Sequence, residues 1–200
     1  MYTVYVKIKE SHSITKKMVD LNYKFSSKTD VYYTPPEIIE LARQVLGKID
    51  LDPASSEIGN SHVKATCYYS KQDNGLSKPW FGSVFLNPPG GRIKNQSSLK
   101  VWLTHGLLKY KEGKIDQLLC VCFNIEALRM CQDDFFELKS LICIPRKRIQ
   151  YYHHGTSNKQ PHDKPFFSSP THASFLAYLG PNEELFRSHF SSLGCVFKFQ

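Results

Sequence analysis

Apolar runs of two different periods follow one another along this chain, and that alternation limits the folds open to it more than any other feature. Ile38, Ile39, Leu41, Ala42, Val45 and Leu46 recur at helical spacing, whereas 83–86 and 118–123 are short continuous apolar runs of the kind buried on both faces of a sheet. Helical spacing predicts further helices over 98–110, 125–139 and about 182–192. Extended segments are expected over 48–53, 65–69, 141–144, 149–152, 173–179 and 195–199. Such an order predicts an α/β fold: a single twisted, mostly parallel sheet with helices on its faces and its ligand site at the carboxyl ends of the strands. No repeat or linker marks off a second domain, and 200 residues suit one core. Residues 1–29 lack a sustained period and read as an N-terminal extension to a domain spanning 30–200.

The expected strand ends and helix starts carry the polar residues of interest. Thr34-Pro35-Pro36-Glu37 has the spacing of a capping box and predicts a helix from about 35 to 46 that Gly47 stops. Asp52 ends a strand before Pro53, and the chain then turns polar through Ser55, Ser56, Gly59 and Asn60, which predicts a loop. Asp73-Asn74-Gly75 reads as a turn. Asn87-Pro88-Pro89, at the end of an apolar strand, is the sharpest feature. Two successive prolines fix φ and remove their own donors, so the carbonyls can face a ligand. The Asn87 oxygen beside the Pro88 carbonyl then makes two acceptors suited to an amino group with two hydrogens, such as the exocyclic amine of a base. Holding both hydrogens draws the nitrogen lone pair out of conjugation and aims it at an electrophilic methyl group. A plain turn at Asn87-Pro88-Pro89, a plain N-cap at Thr34 and a plain Asp-Pro turn at Asp52 are the alternatives.

A net charge of +8 favours a polyanionic partner, nucleic acid first. The charge concentrates over 145–167, where five Lys and Arg face one acidic residue. There Arg146, Lys147 and Arg148 precede Tyr151 and Tyr152, a basic and aromatic mixture suited to DNA phosphates and bases. The length of this aperiodic stretch points to a functional loop. No apolar stretch is long enough for a membrane span, and the N-terminus lacks the pattern of a signal peptide, so a cytoplasmic protein is expected. Six cysteines without a C-x-x-C pair predict buried reduced thiols and no metal site.

The chain resembles the phage-type Dam-like DNA N6-adenine methyltransferase family over roughly 30–180. The resemblance rests on an ordered series: Tyr33-Thr34-Pro35, Leu51-Asp52-Pro53-Ala54-Ser55, Tyr68-Tyr69, Asp73-Asn74-Gly75-Leu76, Trp80, Val84-Phe85-Leu86-Asn87-Pro88-Pro89, then Arg148-Ile149 and Tyr178-Leu179-Gly180. It implies the Rossmann-like methyltransferase fold and S-adenosylmethionine as cofactor. Tyr33, Thr34, Asp52, Pro53, Ala54, Ser55 and Asp73 are then expected around that cofactor, with Asn87, Pro88 and Pro89 at the target amine of adenine in DNA. Two departures stand out. The glycine-rich loop after the first strand is absent, and Gly90 occupies the place where an aromatic residue usually follows the two prolines and stacks on the extruded base. Tyr151, Tyr152 or Arg92 are the candidates to supply that stacking. A catalytically inactive, methyltransferase-like nucleic-acid-binding protein is the alternative these departures raise; an enzyme acting on RNA or a protein amide is a third.

Overall fold

A computed structural model describes residues 32–153, 166–168 and 171–200. The expected extension over 1–29 lies outside the described residues.

Two prolines decide where the first helix begins. A residue before proline is pushed to extended angles, and Pro35 sits at φ −59°, ψ 144°. Helix α1 (Pro36–Leu46) therefore starts one residue after the expected 35, with Pro35 as its N-cap and no side-chain cap bond. The expected capping box is not formed, because Thr34 falls one position too early for its hydroxyl to cap the first turn. Gly47 ends the helix at φ 75°, as its place in the sequence implies.

Strand β1 (Leu51–Asp52), helix α2 (Glu57–Val63) and strand β2 (Cys67–Tyr68) come next. Helix α2 corrects the expectation of a loop after Ser55. Ser56 caps it by accepting from the Gly59 N–H at 3.0 Å. Only Gly59 and Val63 of this helix are buried, too few to mark a period in sequence. Strand β3 (Ser83–Leu86), buried throughout, leads to a ribbon of β4 (Arg92–Ile93) and β5 (Gln96–Ser97). Lys94 and Asn95 both take positive φ at its turn, a conformation the pair does not advertise in sequence. Helix α3 (Ser98–Lys111) and strand β6 (Gln117–Cys122) match expectation. The single helix expected over 125–139 is instead two, α4 (Glu126–Met130) and α5 (Gln132–Glu137), broken at Cys131, which leaves helical angles with its side chain buried. Strand β7 (Leu141–Pro145), a separate hairpin of β8 (Tyr151–His153) and β9 (Phe166–Ser168), strand β10 (Phe175–Leu179), helix α6 (Glu183–Phe190) and strand β11 (Gly194–Lys198) complete the described elements.

The central sheet has seven strands in the order β11-β7-β10-β6-β3-β1-β2. Strands β2, β1, β3 and β6 pair parallel. The antiparallel pairs β6–β10, β10–β7 and β7–β11 return β7 to the direction of that group, so only β10 and β11 run against it. The sheet is mostly parallel and compatible with a Rossmann-like fold. Its side chains alternate between two clusters. Phe85, Leu119, Val121 and Leu176 face α1, with Val63 of α2 and Phe186 and Phe190 of α6. Leu86, Leu118, Cys120 and Ala177 face α3, with Ala127 of α4 and Phe135 of α5. All six cysteines are free thiols; Cys120, Cys122, Cys131 and Cys143 are buried.

From β1 the chain crosses to β2 on one side, and from β3 it crosses through α3 to β6 on the other. Neighbouring strands whose connections leave in opposite directions open a crevice at their carboxyl ends, the usual ligand position in such sheets. Asp52 ends the first of those strands and Asn87 follows the second.

Candidate active site

Asn87 follows β3 and is half-buried, with Pro88 buried behind it. Its Nδ2 donates to the Tyr32 carbonyl at 3.1 Å. That bond engages the amide nitrogen and leaves Oδ1 to accept. Sequence reasoning missed Tyr32, because the contact joins residues 55 apart.

Thr34 lies next to this bond in the chain. It is 3 % exposed, and its Oγ1 has no hydrogen-bond partner. The Glu37 N–H precedes the first intrahelical bonds of α1, which run from the Ile38 and Ile39 N–H groups to the Pro35 carbonyl. A buried hydroxyl without a partner costs free energy unless a ligand supplies one.

Asp52 is also 3 % exposed. Its carboxylate accepts from the Ala54 N–H at 3.2 Å, and no cation pairs with it among the described residues. Burial pushes its carboxyl from 3.8 up to about 6, the Ser55 side chain and the Ala54 N–H pulling the other way. Tyr33 and Ser55 come together over Gly59, where a Cβ would lie 3.0 Å from Ser55 Oγ, 3.3 Å from Ser56 Oγ and 3.4 Å from Tyr33 Cε1. Gly59 thus allows the close approach of the segment before α1 to the turn after β1.

The Asp73 turn is drawn to Asp52 through Gly75. A Cβ on Gly75 would lie 2.0 Å from the Pro53 carbonyl oxygen, so only glycine lets the two loops touch. Trp80 pins this loop from below, its Nε1 donating to the Gly75 carbonyl at 2.9 Å while the ring packs on Trp102 and His105. Asp73 itself is exposed; its carboxylate accepts from the Ser70 N–H at 2.8 Å and the Ser70 hydroxyl at 2.6 Å, contacts that hold it below the ordinary carboxylate range.

Arg146, Lys147 and Arg148 are exposed at the end of β7 and reach the same region. With Ile149 and Gln150 they line one wall of a cavity of about 490 Å³, whose other wall includes Pro35, Glu37 and Ile38 at the start of α1. The Arg146 backbone N–H donates to the Leu193 carbonyl at 2.9 Å and its Nη1 to the Ser191 carbonyl at 3.3 Å, which orients the run. Tyr151 departs from expectation. It is 1 % exposed in the cluster against α1, edge-on to Tyr32, so it belongs to the core and not to an exposed DNA-facing loop. The side chain of Tyr152 and residues 154–165 lie outside the described residues. Arg92 sits exposed on the β4–β5 ribbon.

Among the described residues no group of His, Cys, Asp and Glu could hold a metal ion, and no helix is long and apolar enough to cross a membrane. No curated protein matches the chain. The family model of DNA N-6-adenine-methyltransferase (Dam) matches residues 23–167, more than two thirds of the chain and a span that contains Thr34, Asp52, Asp73 and Asn87. The chain therefore belongs to the Dam family, and its activity is methylation of adenine N6 in DNA.

Proposed function

We propose that the methyl donor is S-adenosylmethionine, held on a Rossmann-like methyltransferase fold between the start of α1 and the ends of β1 and β2, and that Asn87, Pro88 and Pro89 hold the target amine. The observation that supports this reading is the Asn87–Tyr32 bond, which engages the amide nitrogen beside the start of α1 and leaves Oδ1 to accept. The cofactor's own groups fit what surrounds it. Thr34 Oγ1 and the free end of α1 suit a carboxylate, and the unpaired Asp52 suits an ammonium or the ribose hydroxyls. Pro53, Ala54 and Ser55 shape that turn beside Tyr33, and Asp73 lies across Gly75 as an acceptor for a base amine. Nothing among the described residues favours the binding-only alternative.

When bound, the cofactor supplies an electrophilic methyl carbon on a sulfonium sulfur. Asn87 Oδ1 and the Pro88 carbonyl accept the two N6 hydrogens and turn the lone pair toward that carbon. Held by Thr34 and Asp52, the cofactor would supply that methyl carbon together with its own leaving group, a thioether. N6 then sheds one proton, which the Asn87 oxygen already holds by hydrogen bond, to water. Arg146, Lys147 and Arg148 meet the DNA phosphates beside the crevice, with Tyr152 on the following hairpin, and the enzyme acts in the cytoplasm.

DNA incubated with labelled S-adenosylmethionine and digested to nucleosides tests the reading. Label is expected in N6-methyladenine. Asn87→Ala is expected to cut turnover by about 10²–10³-fold with cofactor affinity unchanged by calorimetry; parental turnover in that variant removes Asn87 from the mechanism. Replacing Arg146, Lys147 and Arg148 by Ala should lower the salt slope of DNA binding by about 0.9 per lost phosphate contact.

A further inference from the structure

Gly90 follows the Asn87-Pro88-Pro89 segment, yet its backbone does not require glycine, since its φ lies outside the positive region. A Cβ built on it meets one atom within 4 Å among the described residues, the Phe123 Cζ, at 3.6 Å. Phe123 comes from the next strand. It follows β6, whose Cys120 is in register with Leu86 of β3, and its half-buried ring reaches across to the loop that ends β3. Its place on the sheet continues the alternation of Leu119 and Val121 on the α1 face, and at the sheet's end its ring packs against both core clusters. Asn87 continues that of Phe85 and bonds to the chain just before α1, on the same face.

A second observation marks this spot. Phe175 pairs with Cys122, so Ser174 stands opposite Phe123 and continues Leu176 on the same face. Ser174 is 3 % exposed and its Oγ has no hydrogen-bond partner; the Tyr151 hydroxyl, nearly fully buried, has none either. Burial pushes the Tyr151 phenol up and nearby Ser174 moderates the effect, yet the two hydroxyls do not complete a hydrogen bond to each other. An aromatic ring, two unpartnered hydroxyls and the Asn87 amide thus gather at one end of one face of the sheet.

We infer that Phe123 is the surface against which the extruded adenine stacks, standing in space for the aromatic side chain that Gly90 lacks, with the Ser174 and Tyr151 hydroxyls lining the same pocket toward the ring nitrogens. The inference rests on the placement of the target amine at Asn87. An enzyme that acts on a base must take it out of the duplex, and it regains lost stacking on its own aromatic groups. A side chain at position 90 would start in van der Waals contact with Phe123, so the two positions are neighbours that one stacking ring could share.

The test uses the full chain and a duplex bearing the site the parental enzyme methylates, with 2-aminopurine at the target base for the fluorescence arm. Phe123→Leu keeps apolar bulk but has no π-face. Measured where the variant is fully folded, it is expected to lower kcat/KM about 5- to 150-fold and to brighten 2-aminopurine emission, because the flipped base is no longer quenched by a ring. Phe123→Tyr is expected to keep both readouts near parental values. The double variant Phe123→Ala with Gly90→Phe is expected to recover turnover that Phe123→Ala loses. Parental kcat/KM and emission in Phe123→Leu overturn the inference, as does a folded double variant that recovers nothing. Asn87→Ala in parallel separates the two failures. Parental turnover there removes the base site itself, whereas loss there beside a parental Phe123→Leu removes Phe123 alone.

Discussion

The two ends of the sheet treat buried polar groups in opposite ways. At the amino ends of β3 and β6, Gln117 Nε2 donates to the Leu46 carbonyl at 3.0 Å and to Ser83 Oγ at 2.9 Å. Tyr178 OH donates to Gln117 Oε1 at 2.8 Å and accepts from the Asn182 N–H at 2.9 Å, while Asn182 Nδ2 ties back to the Val45 carbonyl at 2.8 Å. Nearly every donor finds an acceptor, and the network clamps α1 and α6 to the sheet. At the carboxyl ends, Thr34, Tyr151 and Ser174 keep hydroxyls with no partner, and Asp52 keeps a carboxylate with no cation. A satisfied network stabilises a fold; an unsatisfied one costs stability until a ligand completes it. Ser140 carries an orphaned hydroxyl near the satisfied end, and on α3 the Ser98 hydroxyl and the His105 Nε2 are orphaned too, so the contrast lies in the clustering and not in a bare count.

The largest effect should come from Asp52. Its folded carboxyl is raised from 3.8 to about 6, so it holds a proton more readily folded than unfolded. Its contribution to stability is therefore fully present below about pH 3.8 and lost as pH rises through about 6. Asp52→Asn should raise the stability of the cofactor-free protein at pH 8 by on the order of 2–3 kcal/mol and flatten its pH dependence. The same variant should weaken cofactor binding, and parental affinity should fall as pH drops below about 6. Denaturant melts and calorimetry across pH 4–8 measure both; a destabilised Asp52→Asn that binds normally would break the comparison.

Matched tyrosine variants sharpen it further. Tyr178→Phe strips Gln117 and Asn182 of a shared partner and should cost about 1–3 kcal/mol, with turnover intact at temperatures where the protein stays folded. Tyr151→Phe is the smallest change and has the other sign. It removes a hydroxyl that has no partner, so stability should hold or rise by up to about 1 kcal/mol, while methyl transfer falls. Equal destabilisation by the two variants would mean that Tyr151 is as well satisfied as Tyr178.

Some of this protein was fixed locally and readable in order. Helical and extended periods located α1, α3, β3, β6 and β10, because burying an apolar face imposes its period on the residues themselves. Asn87, Asp52 and Thr34 could be placed at the crevice because strand ends and helix starts are local events. Where local signals were short or in conflict, the sequence was silent or misleading: α2 buries two residues, Cys131 leaves helical angles and splits a helix, and Pro36 overrides the cap that Thr34 promised. The tertiary structure alone decided what depends on contacts between distant segments. Tyr32 orients Asn87, Gly75 admits Pro53, Tyr151 enters the core, and Phe123 faces Gly90 across two strands. Each of these follows from strand register and close approach, which bring together residues that share no period and no neighbourhood in the chain.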